Sequence, residues 1–144
     1  MNNTKIEDYL DEYGFYIFPP KGISMMPLLD QNEDTVRIIK CNRPLKRYDV
    51  VTFKRDNGSY VLHRILRVKK DYYLFCGDNQ VICEKVYPHQ IIGIMEGYYK
   101  KDIYHTIDEL DYIRYSKRRV ASRPFRFISY GIKAAFRKIF KRKK

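Results

Sequence analysis

Ser24 stands in the run Gly22-Ile23-Ser24-Met25-Met26-Pro27-Leu28-Leu29. The glycine lets the chain bend and leaves backbone amides open, and Pro27 stiffens the exit. A serine there is either a turn residue or a nucleophile. A nucleophile needs an exposed position on a rigid turn, a base within reach and N–H donors for the oxyanion. The candidate base is His63, in Tyr60-Val61-Leu62-His63-Arg64-Ile65-Leu66. A neutral imidazole with an ordinary pKa near 6.5 accepts a proton at neutral pH. The same histidine equally fits a satisfied core position. Strand alternation turns Arg64 to the opposite side, exposed or paired.

A third element is Cys76-Gly77-Asp78-Asn79-Gln80, a turn signature in which Asp and Asn bond their own backbone. Asp78, or Glu84 beyond it, could orient the imidazole as the third member of a triad. Otherwise the two are a hairpin-turn residue and a surface glutamate. His89 and His105 have no partners at metal-ligand spacing, so neither a metal nor a cofactor is expected.

The elements around these residues are short. Ile6, Tyr9, Leu10 and Tyr13 recur at helical spacing, which predicts a helix over 3–13, capped by Asn3 or Thr4 and ended by Gly14. Strands are expected at 15–18, 35–39, 49–54, 60–68, 72–76 and 90–99, all rich in β-branched and aromatic residues. Asn57-Gly58 signals a hairpin turn. The expected fold is mainly β: a small antiparallel barrel or folded sheet over residues 1–105. A helical basic extension follows over 106–144. Thr106 and Glu109 form a capping-box pattern for its first helix, and Ser122 or Arg123-Pro124 opens a second. In that second run Phe125, Ile128, Ile132, Phe136, Ile139 and Phe140 make an apolar stripe beside a basic face.

Charge divides the chain in the same place. Of 29 Lys and Arg, 12 lie from Lys117 onward, where there is no Asp or Glu; the rest of the chain balances 17 basic against 17 acidic residues. An anionic partner would therefore meet the tail. Nothing resembles a base-reading motif, so nucleic acid is not the expected partner. The stripe either packs back on the body or lies on an anionic membrane surface through residues 123–144. No run approaches the roughly 18–20 apolar residues of a membrane span. The acidic, polar N-terminus does not read as a signal peptide, and the three cysteines, an odd number with no CxxC pair, read as reduced. The expected setting is cytoplasmic, with peripheral membrane association.

Taken together, these runs resemble the type I signal peptidase superfamily, which includes the LexA-like self-cleaving repressors. Gly22–Leu29 resembles its Ser-Met-x-Pro box, and Glu33–Ile38 and Arg47–Lys54 the two boxes that follow. Val61–Leu66 resembles its His-Arg-Val box, Cys76–Gln80 its Lys-Gly-Asp-Asn box, and Ile91–Met95 its closing strand. The five-box order runs from about Gly14 to Gly97. The resemblance implies a mostly β serine endopeptidase of the histidine-base type, as in archaeal and endoplasmic-reticulum signal peptidases. Ser24 would be the nucleophile and His63 the base. Glu84 stands where that type carries an orienting Asp, and Asp78 matches the buried Asp of the Gly-Asp-Asn turn. Tyr48 replaces the usual glycine before Asp49. Gly22 replaces a common hydroxyl residue, so the oxyanion would rest on backbone N–H groups of Gly22 and Ser24. No counterpart of the family's N-terminal membrane anchor is expected.

The expected function is thus a serine endopeptidase that cleaves a precursor or leader peptide, its partner a peptide or protein substrate. Two alternatives stand beside it. One is a non-catalytic peptide- or membrane-binding module. The other is a self-cleaving regulator, which would need a lysine base and a DNA-binding domain.

Overall fold

A computed structural model describes residues 4–142. Helix α1 (Ile6–Tyr13) opens it, its acidic first turn suiting a helix N-terminus. The cap residue is Lys5 rather than Thr4, and Asn3 lies outside the described residues. Gly14, in a left-handed conformation, closes the helix as expected.

Eight strands follow: β1 (Phe15–Phe18), β2 (Thr35–Ile39), β3 (Val50–Lys54), β4 (Tyr60–Val68), β5 (Tyr73–Cys76), β6 (Glu84–Val86), β7 (Ile91–Lys100) and β8 (Ile103–Thr106). They form one sheet in the order β1-β2-β7-β3-β4-β5-β6, with β8 added against β7. Every pairing is antiparallel. The fold is mainly β and antiparallel, as expected, but of the barrel or folded sheet the barrel is not formed: β1 and β6 end the order and do not pair with each other. Bulges at Arg37/Ile38, Thr52/Phe53 and Ile65/Arg67 bend the sheet instead.

Alternation along the strands builds two cores. Val36, Ile38, Val50 and Met95 join Leu10 of α1, Met25, Leu29 and Tyr112 on one side. Val51, Phe53, Ile65, Phe75, Val86 and Ile94 fill the other.

Two helices end the chain, α2 (Leu110–Ala121) and α3 (Arg123–Arg142). The expected start of α2 at Thr106 is corrected. Thr106 is the last residue of β8, and the helix begins at Leu110 with Glu109 as its cap. Glu109 still reaches back to the Thr106 N–H at 2.9 Å, so the pattern bridges strand and helix. Tyr112 and Ser116 of α2 are buried against the sheet, whereas α3 has no buried residue. The expected boundary at 105/106 thus falls before a helix that shares the sheet's core.

Candidate active site

The run containing Ser24 is a tight, well-anchored loop. Gly22 has φ +71°, a left-handed conformation that glycine adopts without strain. Met25 is 2% exposed and sits in the first core, as does Leu29. Burying such a side chain contributes roughly 1.5–3 kcal/mol, enough to pin the turn that presents Ser24. Beyond it, Lys100 Nζ donates to the Leu28 carbonyl (2.9 Å) and to Asp34 (2.6 Å), tying the loop exit to the end of β7.

The Gly77-Asp78-Asn79 turn meets this loop directly. The Asn79 N–H donates to the Ser24 carbonyl at 2.8 Å, and the Asn79 side-chain amide to the Ile23 carbonyl at 3.1 Å. A Cβ on Gly77 would lie 2.6 Å from the Ser24 carbonyl oxygen. Glycine is required there by close approach.

His63 pairs with Val51 across β3–β4, so it shares the face of the second core, its ring edge-on to Phe53 at 6.0 Å. Glu84, paired with Phe75 on β6, lies on that same face. Glu84 Oε1 is 3.6 Å from His63 Nδ1, just beyond hydrogen-bond reach. Nδ1 is buried with no hydrogen-bond partner among the described residues. Burial pushes the His63 pKa down to about 4; the Glu84 carboxylate opposes that shift and the Arg55 guanidinium adds to it. That lies below the ordinary imidazole value near 6.5. Arg55 grips both Glu84 oxygens, at 3.1 and 2.7 Å, and so sets where that carboxylate sits.

Asp78 faces elsewhere. Its carboxylate takes Arg64 Nε at 2.7 Å and Nη2 at 2.8 Å, plus the Tyr115 hydroxyl at 2.9 Å. Arg64 is fully buried, its Nη1 satisfied by Ser116 Oγ at 2.8 Å and the Tyr48 carbonyl at 3.0 Å. Asp78 therefore braces the turn under Ser24, and Glu84 is the carboxylate beside His63. Gly22 is corrected as an oxyanion donor, because its N–H donates to Gln31 Oε1 at 2.8 Å. The Ser24 N–H has no acceptor among the described residues.

Ser24 and His63 line one cleft of about 730 Å³, with Pro20, Lys21, Thr52 and Gln80 in its walls. No hydrogen bond joins the two among the described residues. Three neighbours were not read from sequence. Arg55 carries no signal beyond flanking the Asn-Gly turn. Gln80 closes the Cys76–Gln80 run but was given no role in the site. Thr52, whose buried hydroxyl has no partner among the described residues, gives no local cue. Among the described residues no cluster of His, Cys, Asp and Glu could hold a metal ion. No helix among them is long and apolar enough to cross a membrane. Neither a known protein family nor any curated protein matches the chain.

Proposed function

We propose that the chain is a serine endopeptidase in which Ser24 is the nucleophile and His63 its base. The observation that carries this reading is the shared cleft: a serine on a braced turn and a histidine backed by Glu84 line the same space. A buried ring nitrogen without a partner calls for a functional explanation, since buried polar groups are ordinarily bonded. An Nδ1–H that closes on Glu84 once a peptide fills the cleft supplies one. Catalytic hydrogen bonds often tighten only with substrate bound.

In the reaction, Ser24 Oγ attacks the scissile carbonyl carbon and His63 Nε2 takes its proton. The Ser24 N–H donates to the oxyanion. The imidazolium returns the proton to the leaving amine, and water then hydrolyses the acyl-enzyme by the same route. Glu84 stabilises the charge that forms on His63. The substrate lies extended between β1 and the Tyr60–His63 stretch of β4, adding a strand. A precursor or leader peptide suits such a groove.

A second reading, a peptide-binding module using the same cleft, is favoured by the lack of a Ser24–His63 hydrogen bond. Incubation with a diverse peptide library, read by mass spectrometry, separates the two. The endopeptidase cleaves, and Ser24→Ala abolishes cleavage. Intact peptides, or cleavage that persists in Ser24→Ala, would overturn the assignment.

A further inference from the structure

Helix α3 is 20 residues long, about 30 Å. At 3.6 residues per turn, Phe125, Ile128, Ile132, Phe136, Ile139 and Phe140 fall in one arc of ~120°. All six are exposed, Phe125 by 75% and Phe140 by 68%. Of the two expected arrangements, packing of the stripe on the body is not seen. Its side-chain hydrogen bonds to the body come, among the described residues, from the first turn: Arg123 Nη2 donates to the Val81 carbonyl at 2.5 Å and Arg126 Nη1 to the Asp78 carbonyl at 2.8 Å. No hydrogen bond or ion pair ties residues 127–142 to the body among the described residues. Residues 123–142 carry seven Lys and Arg and no acid; Arg137 and Lys141 face away from the stripe and Lys133 borders it.

We propose that α3 is an interfacial anchor that lies flat on an anionic lipid surface. An exposed apolar arc backed by uncompensated positive charge is the pattern that buries in the headgroup boundary of such a bilayer. The helix is too polar to cross it. A second copy pairing through the stripe would set two helices side by side, each with seven Lys and Arg and no acid to compensate them, and like charges disfavour that pairing. A nucleic acid would neutralise the basic face and leave the apolar arc in water. The lipid surface satisfies both faces at once.

The attachment point gives the anchor a consequence. Arg123 and Arg126 hold the segment Asp78–Val81, and its Asn79 holds Ser24. The Ser24 cleft is thereby kept beside the headgroups, where it meets peptides presented at the membrane surface. Anchoring itself does not depend on hydrolysis.

Co-sedimentation of the full chain with phosphatidylcholine vesicles, with and without phosphatidylglycerol, tests this. The expected result is binding to the anionic vesicles that weakens as salt rises. Phe136→Glu with Ile139→Glu should weaken it more than tenfold. Lys133→Gln, Arg137→Gln and Lys141→Gln together should weaken it about a hundredfold. Neither set touches the core, so thermal melting should stay as in the wild type. Ser24→Ala should bind as the wild type does, which keeps this result separate from that of the peptidase assay. Failure to bind anionic vesicles would overturn the proposal. So would binding indifferent to Phe136→Glu and Ile139→Glu, or a dimer that covers the stripe and leaves the vesicles unbound.

Discussion

The backbone N–H of Asn79 donates to the carbonyl of Ser24 at 2.8 Å, locking the Gly77-Asp78-Asn79 turn onto the loop that presents Ser24. Gly77 permits that approach, since a Cβ there would press on the Ser24 carbonyl at 2.6 Å and on Ser24 Cβ at 3.1 Å. Gly77→Ala should therefore displace Ser24. Overpacking of this kind costs about 1–3 kcal/mol, and peptide cleavage should fall further than that stability loss accounts for. Urea unfolding and a cleavage assay on the same protein check both.

His63 makes stability depend on pH in a stated direction. Its folded pKa is about 4, and its unfolded value is near 6.5. Between those values the unfolded chain binds the extra proton, so stability is full above pH 6.5 and is lost as pH falls toward 4. The loss from this group is about 3 kcal/mol. Urea midpoints measured from pH 7 to pH 4 should show it, and His63→Gln should remove that component. The acid limb of cleavage in the free enzyme should likewise lie near pH 4 rather than 6.5.

Arg55 and Glu84 push the His63 pKa in opposite directions. Arg55→Ala removes a nearby positive charge and should raise it, while also freeing Glu84 to move. Glu84→Gln removes the opposing negative charge and should lower it. Titration of the His63 ring signals by NMR reads both signs.

The Arg64–Asp78 pair is buried on both partners, so removing one leaves an uncompensated charge in the core. Asp78→Asn should cost about 3–5 kcal/mol in urea unfolding. Arg64→Lys should not restore what Arg64→Ala loses, because an ammonium cannot make the two parallel bonds to the carboxylate.

Tyr48 has φ +79°, a left-handed backbone that costs a non-glycine residue roughly 1–2 kcal/mol. Glycine relieves that strain and loses part of the gain to unfolded-state entropy. Tyr48→Gly should raise stability by about 0.5–1 kcal/mol, measured by chemical unfolding.

Much of the sheet was legible because its strands carry β-branched and aromatic residues between clear turn signals. Phe15–Phe18, Thr35–Ile39 and Tyr60–Val68 fall where the pattern put them. Glu84–Val86 and Ile103–Thr106 were missed, since three or four residues show no period and their strand character comes from pairing with β5 and β7. Closure was not legible either: whether β1 meets β6 depends on bulges and twist, which leave no local mark. In the site, Ser24, His63 and Glu84 could be singled out by type and position. The occupied Gly22 N–H could not, because its acceptor, Gln31, is set by how the loop folds back. The depressed His63 pKa also follows from burial on a sheet face, which one sequence position does not reveal.

The central claim is that His63 makes Ser24 nucleophilic. Its most direct measurement is the rate of covalent labelling by a fluorophosphonate, with the modified residue mapped by mass spectrometry. The account predicts modification at Ser24, none in Ser24→Ala, and labelling slowed at least a hundredfold in His63→Ala. Labelling that persists in Ser24→Ala, or proceeds in His63→Ala at the wild-type rate, would contradict it.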